Sequence, residues 1–392
     1  MRYNFNEESE GAKTVADVDE YLTWRGDVPL VADPFGEVDA MILSMLAYVR
    51  LDGIVKDDGE EKTLREVSEE YFSVHSADEI RADRVFQPKS PLLLEGMLSG
   101  ERFGNMTVSF YADETDGERD LQFSAVTYRL SDGSAFAAFR GTDSTLTGWR
   151  EDFDLSFLTA TEGHKKAVSY LDSVGEKLGV PLRVGGHSKG GNLAVFSSAF
   201  CSPAVRRKIM TVFSFDGPGF PRETVETDEY RAVLGKTVSF VPDTSVVGQL
   251  LISGARREIV KSAAKGIGQH DCLTWCVERN RFEKTAMSTA GEMIGRAVGE
   301  WIDMMDYETR QSLTETLFSL FASTGADTFS EIGKSKRKSA EAILSAAKKL
   351  PRDKQRELLR LLALLGQSGG AAATDYINKR IEKKRDEKEA EE

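Results

Sequence analysis

The sequence predicts an α/β fold with a mostly parallel central sheet, a helical N-terminal part and a helical C-terminal extension. Three observations predict it. Runs rich in Val, Phe, Thr and Tyr crowd the middle of the chain, between about residues 106 and 261, while apolar residues recur at helical spacing on either side. A helical run at 163–178 separates two apolar runs, and strand–helix–strand implies parallel pairing. At 180–200 an apolar run enters the tight turn Gly186-His187-Ser188-Lys189-Gly190 and leaves it as a helix-forming run from Asn192.

Taken in order, residues 1–28 are polar and are expected to pair loosely or fray. Asp33-Pro34-Phe35-Gly36 is a turn. Val38, Met41, Ile42, Met45 and Leu46 then mark an amphipathic helix over 37–50. Segments 63–74 and 90–98 read as further helices. The texture changes near Arg102: 106–111, 121–130 and 134–139 read as strands, the last two joined by the hairpin signal Ser131-Asp132-Gly133.

After the helix at 163–178 and the run into Ser188, an apolar strand at 209–215 ends in Asp216-Gly217-Pro218-Gly219. Another at 236–241 ends in Pro242-Asp243. A last strand at 258–261 precedes Gly266-Ile267-Gly268-Gln269-His270. Beyond 280 the pattern is helical at 285–302, 308–322 and 339–350. Pro351 opens a final helix that Gly366 closes. The basic patch at 334–338 reads as a solvated linker. The expected division is an N-terminal segment (1–28), an α/β domain (29–280), a helical extension (281–366) and a flexible charged tail (367–392).

The chain has 392 residues and a formal net charge of −13, which argues against nucleic-acid binding and gives no help at an anionic membrane. Cys201, Cys272 and Cys276 are too few for a disulfide framework. The spacing of the last two, with no second pair, does not suit a zinc site. The first ten residues lack a basic and apolar leader, and no run of about 18 apolar residues occurs. A reducing, cytoplasmic setting is the expectation.

The pattern Gly-x-Ser-x-Gly at a strand-to-helix turn is a nucleophile elbow, in which any Cβ flanking the serine would clash. Such a pattern is common by chance, so the rest of the chain must supply partners for Ser188. A base must lie downstream, and among His75, His164, His187 and His270 only His270 does. His187 is locked inside the elbow, with its side chain expected on the far side from Ser188. The acid should follow a strand between Ser188 and His270. Asp243, ending the later strand, is favoured; Asp216 is the competitor, because Asp-Gly-Pro-Gly already explains an aspartate as a turn residue. The oxyanion donors are expected from the Lys189 backbone and from the early loop Arg140-Gly141-Thr142.

With these motifs and Trp149, the chain resembles the class 3 lipase branch of the α/β hydrolases, and more closely the bacterial Mbeg1-like family (domain of unknown function 2974). The most specific stretch is Gly-Gly-His-Ser-Lys-Gly-Gly-Asn-Leu-Ala at 185–194. It is supported by Phe-Asp-Gly-Pro-Gly-Phe at 215–220, Val-Pro-Asp-Thr-Ser at 241–245 and Gly-Ile-Gly-Gln-His-Asp at 266–271. The resemblance covers about residues 29–280. It implies an α/β-hydrolase fold with Ser188 as nucleophile, Asp243 as acid, His270 as base and Thr142 at the oxyanion hole. Lys189 stands where those lipases usually carry an apolar residue, and Gly148 where they carry an aspartate.

The expectation is a serine hydrolase cleaving a carboxylic ester or thioester through an acyl-enzyme on Ser188, with no metal or cofactor. A charged Lys189 beside the oxyanion hole suits a polar or anionic acyl group. Residues 143–160, with Trp149 and Phe157, are the lid candidates. A rival reading is a non-catalytic hydrolase fold that binds a partner through its C-terminal helices. A third, membrane contact by those helices, is disfavoured by the acidic charge.

Overall fold

A computed structural model describes residues 16–76, 79–80, 90–97, 100–143, 145–155, 158–303, 307–325, 336–348, 350–352 and 354–356. The helices used below are α1 (Val18–Arg25), α2 (Glu37–Leu46), α3 (Leu64–Val74), α4 (Ser90–Met97), α5 (Leu146–Asp154), α6 (Glu162–Leu178), α7 (Lys189–Phe200), α8 (Pro203–Lys208), α9 (Arg222–Val225), α10 (Asp228–Leu234), α11 (Thr289–Asp303), α12 (Tyr307–Ala322) and α13 (Lys336–Ala347). The strands are β1 (Lys62–Thr63), β2 (Thr107–Asp116), β3 (Leu121–Arg129), β4 (Ala135–Phe139), β5 (Leu182–His187), β6 (Ile209–Phe215), β7 (Thr237–Pro242) and β8 (Arg256–Val260), followed by the hairpin of β9 (Val277–Glu278) and β10 (Arg281–Phe282).

Strands β1 to β8 form one sheet in sequence order. The pairs from β1 to β4 are antiparallel and those from β4 to β8 parallel. This is the mostly parallel sheet that the strand–helix–strand pattern predicted, within the α/β-hydrolase fold that the elbow and the family resemblance implied. Strand β4 is apolar throughout because helices cover both faces; every one of its residues is buried.

Sequential order has a consequence for coverage. Parallel crossovers are right-handed, so a sheet that adds strands in one direction carries its crossover helices on one face. Here α6 and α7 cover that face: Ala167, Leu171, Leu193 and Ala194 pack with Ala135, Ala137 and Phe139. The other face needs a cover from elsewhere in the chain. It comes from the N-terminal helices and from the segment after β8. Met41, Ile42 and Met45 of α2 pack with Phe136, Ala138, Phe213, Phe215, Trp275 and Phe282. The alternation of Phe136 and Ala138 against Ala137 and Phe139 is the two-residue period of a strand. At Gly185 a Cβ would stand 2.6 Å from the Phe136 ring and 3.1 Å from Ser44 Oγ, so glycine lets α2 approach the sheet.

The described part of the polar N-terminal segment does not fray. Residues 18–25 form α1, capped by Asp17, whose side chain accepts from the Glu20 amide. Tyr21 Oη donates to Asp39 Oδ1 at 2.7 Å. Arg102 grips the same carboxylate through Nε and Nη2 at 2.7 and 2.6 Å, and through Nη1 donates to the Val28 and Asp33 carbonyls. Residues 1–15, the first two residues of the basic patch at 334–338, most of the helix expected after Pro351 and the charged tail lie outside the described residues, while 336–338 begin α13 and do not form the expected linker.

Two helices of the extension are tied to the α/β domain. Ser288 heads α11, its Oγ accepting from Gly291 N at 3.1 Å. Phe318 of α12 meets Phe153 of α5 edge-on, with ring centroids 5.6 Å apart. Among the described residues no helix is long and apolar enough to cross a membrane.

Candidate active site

The turn between β5 and α7 is built as its sequence requires. Ser188 takes φ 58°, ψ −129°, a left-handed strained conformation rare for a residue with a Cβ. A Cβ on Gly186 would lie 2.3 Å from the Gly190 carbonyl, and one on Gly190 would lie 2.1 Å from the Phe139 oxygen. Glycine at both places is therefore a packing requirement. Ser188 N donates to the Phe215 carbonyl at 2.9 Å, which anchors the turn to β6. Asn192, one turn along α7, ties it further: Nδ2 donates to the Gly219 carbonyl at 2.8 Å. Its Oδ1 accepts from His164 Nε2 at 2.7 Å, while His164 Nδ1 accepts from the Thr161 amide. Burial lowers the His164 pKa to about 4, so that ring is a neutral structural link.

The loop after β4 lies against the serine. A Cβ on Gly141 would stand 3.1 Å from Ser188 Cβ and 2.2 Å from the Tyr48 hydroxyl. Thr142 follows, buried, with Oγ1 donating to Asp152 Oδ2 of α5 at 2.5 Å. Burial pushes the Asp152 carboxyl up to about 6, against the opposing influence of Lys189 and of the Thr142 hydrogen bond.

His270 stands at the end of a 3₁₀ turn, Gly266–His270. Its Nδ1 lies 2.6 Å from Asp216 Oδ2. The carboxylate that meets the histidine is thus Asp216, and the expectation for Asp243 is corrected. Asp216 takes φ 49° at the end of β6, and its amide bonds the Phe240 carbonyl at 2.8 Å. That left-handed turn sends the buried carboxylate toward the His270 loop. Asp243 serves elsewhere: its Oδ1 accepts from the Ser288 amide at the head of α11. The His270 loop is held by Trp275, whose Nε1 donates to the Gln269 carbonyl at 2.8 Å, and by Thr244, which donates to Gln269 Oε1 through its amide and hydroxyl.

His187, in the elbow itself, also reaches the His270 loop. Tyr48 Oη and His187 Nδ1 are 2.9 Å apart, and His187 Nε2 lies 2.7 Å from the His270 carbonyl oxygen. A carbonyl only accepts, so Nε2 carries the hydrogen and Nδ1 accepts from Tyr48. Burial first, and the neighbouring His270 second, hold the His187 pKa well below its usual value.

The side chain of Lys189 does not line the reaction side of the elbow. It is buried, and its Nζ donates to Gln122 O at 2.7 Å, Gln122 Oε1 at 2.6 Å and Glu151 Oε2 at 2.9 Å. The lysine charge expected beside the candidate oxyanion donors is instead paired with Glu151 of α5 and bonded to Gln122 of β3. Gly148 packs instead against Thr142 and Asp143.

The structure therefore brings Ser188, Thr142, the Lys189 backbone, His270 and Asp216 into one neighbourhood at the C-terminal ends of β4 to β6. Tyr48, Gln122, Glu151 and Asp152 were not foreseen. The run Trp149-Arg150-Glu151-Asp152 carried the signal, but adjacent charges on a short helix look solvated. Phe157 lies outside the described residues.

The Mbeg1-like family model matches residues 97–319. No curated protein matches the chain. Among solved structures it is similar to the native Rhizomucor miehei lipase propeptide complex, at 12% identity over 65% of this chain and 74% of that one, with a TM-score of 0.37. It is also similar to lipase II from Rhizopus niveus, at 13% identity over 52% of this chain and 78% of that one, with a TM-score of 0.31.

Proposed function

The chain belongs to the Mbeg1-like family, and from that premise we propose that it is a serine hydrolase acting on a carboxylic ester or thioester through an acyl-enzyme on Ser188. The observation that carries the reading is the 2.6 Å contact between His270 Nδ1 and Asp216 Oδ2, beside a serine held in a strained elbow. Asp216 fixes the tautomer in which Nδ1 bears the hydrogen, leaving Nε2 basic. Nε2 takes the Ser188 proton as Oγ attacks the acyl carbon. The oxyanion is met by the Lys189 and Thr142 backbone amides. The Thr142 hydroxyl is committed to Asp152, so its amide is the donor. His270 then protonates the leaving group, and water attacks the acyl-enzyme by the same steps in reverse order.

The substrate reading changes with Lys189. Its ammonium is neutralised by Glu151, so it offers no selection for an anionic acyl group. The test is a fluorophosphonate probe, which labels an activated serine. Wild-type protein is expected to be labelled at Ser188, and Ser188→Ala to abolish the signal. A folded wild-type protein that takes no label overturns the proposal and favours a binding role for the fold.

A further inference from the structure

Lys189 is a buried cation for which the reaction itself has no use. Its partner Glu151 is unusually well satisfied: besides Lys189 it accepts from Gln122 N at 3.1 Å, Thr161 Oγ1 at 2.8 Å and Gly163 N at 2.9 Å. Burial by itself would raise the Glu151 pKa, yet Lys189 and these donors hold it below its usual value. Both side chains are almost wholly inaccessible, at 0% and 1%. Desolvation offsets most of the attraction in such a pair, so net stability is a poor explanation for it, and a role in fixing geometry is the stronger one.

The geometry it fixes is specific. Glu151 and Asp152 are consecutive on α5 and reach in different directions. Glu151 reaches the Lys189 ammonium, and Asp152 holds the Thr142 hydroxyl at 2.5 Å. The connections close a ring: Lys189 side chain, Glu151, Asp152, Thr142, and back to the elbow through Gly141, whose Cβ position abuts Ser188. We propose that Lys189 and Glu151 are positioning residues that set the spacing of the two oxyanion donors. Lys189 provides one donor with its backbone, and with its side chain it fixes the helix that holds the loop providing the other. This rests on the reading of Ser188 as a nucleophile. It also makes α5 a fixed wall of the site instead of the lid expected from its sequence. Its inner side is pinned by Lys189, and its Phe153 is covered by Phe318.

The test uses the full-length protein and the fluorophosphonate probe, titrated to give a maximal labelling rate and a half-saturating concentration. Lys189→Met keeps the stem and removes the charge. It is expected to cut the maximal rate about 10- to 100-fold, less than the loss of a whole oxyanion donor, with the half-saturating concentration little changed. Lys189→Met also leaves a buried carboxylate uncompensated and lowers the thermal midpoint. The double variant Lys189→Met/Glu151→Gln separates the two effects, because no unpaired charge remains and the amide oxygen still accepts from Thr161 and Gly163. It is expected to regain most of the thermal midpoint while the labelling rate stays low. A double variant that regains both makes the pair merely structural and overturns the inference. If wild type labels and Lys189→Met labels as fast, the inference alone fails. If folded wild type takes no label, the reading of Ser188 fails and the inference goes with it.

Discussion

His187 Nε2 donates to the carbonyl oxygen of His270 across 2.7 Å, so the residue before the proposed nucleophile holds the loop that carries the proposed base. The rings of these two histidines lie 4.6 Å apart. Tyr48, just past the C-terminus of α2, completes the link by donating to His187 Nδ1. The N-terminal helices thus do more than cover one face of the sheet: they reach the site through one hydroxyl.

Tyr48→Phe removes that hydroxyl and little else. It leaves His187 Nδ1 buried without its donor, at a cost of about 1–3 kcal/mol. The His270 loop then loses a fixed support, and the labelling rate at Ser188 is expected to fall about 10- to 100-fold by misplacement of the base. Thermal unfolding and labelling kinetics on one sample check both. An unchanged rate in a destabilised variant would show that the His187 link is structural only.

The two aspartates give a sharper contrast. Asp216→Asn keeps the shape and stabilises the wrong imidazole tautomer, so the labelling rate is expected to drop by about 10³- to 10⁴-fold. Asp243→Asn removes a charge at the head of α11, where the amide oxygen can still accept from Ser288. It is expected to label at the wild-type rate, with a stability change of about 1 kcal/mol or less. The reverse ranking would return the acid role to Asp243.

That contrast marks what the sequence could and could not say. The elbow was legible because its constraints are local: Gly186 and Gly190 crowd atoms a few residues away or on the neighbouring strand. The strands were legible from composition, since a twice-covered sheet leaves an unbroken apolar run. The acid was not. Both candidates end strands, and Asp-Gly-Pro-Gly gave Asp216 a sufficient local reason to exist. What decides is where residues 266–270 lie, and that is set by Trp275, Gln269 and Thr244 acting across the fold. Lys189 was misread for a related reason: its counter-charge Glu151 is 38 residues away, and nothing near Lys189 in the sequence hints that it is buried.

Asp154 gives a pH prediction with a definite sign. Burial pushes its carboxyl up to about 7, with Asp120, Glu151 and Glu315 adding to the effect and Arg150 opposing it. An unfolded aspartate titrates near 3.9, so between about 4 and 7 the folded protein holds the extra proton. Stability from this group is therefore full below about 4 and is lost as pH rises through about 7. His164, lowered to about 4, works in the other direction, so the total curve does not isolate Asp154. The difference between wild type and Asp154→Asn does. The variant's advantage in urea midpoint is expected to grow from pH 4 to 7 and then level off. A difference that is flat with pH would contradict the raised value.

The last prediction concerns how the extension is held. Phe318 and Leu320 of α12 are buried in a small cluster that takes in Trp149 and Phe153 of α5 and Ala346, Ala347 and Leu350 beyond. No other apolar cluster of the described residues includes α12 or α13. Truncating the central ring therefore acts locally. Phe318→Ala is expected to cost about 3 kcal/mol in that cluster, at the low end for a buried phenylalanine because the site lies near the surface and can collapse. The loss should appear as faster amide exchange in 307–322 and 336–347, while β4, β5 and α7 keep their protection. Because Lys189 and Glu151 hold α5 from within, labelling of Ser188 is expected to persist. If exchange instead rises together in α5 and α12, the outer contact is what holds the cap, and α5 moves as a lid with the extension.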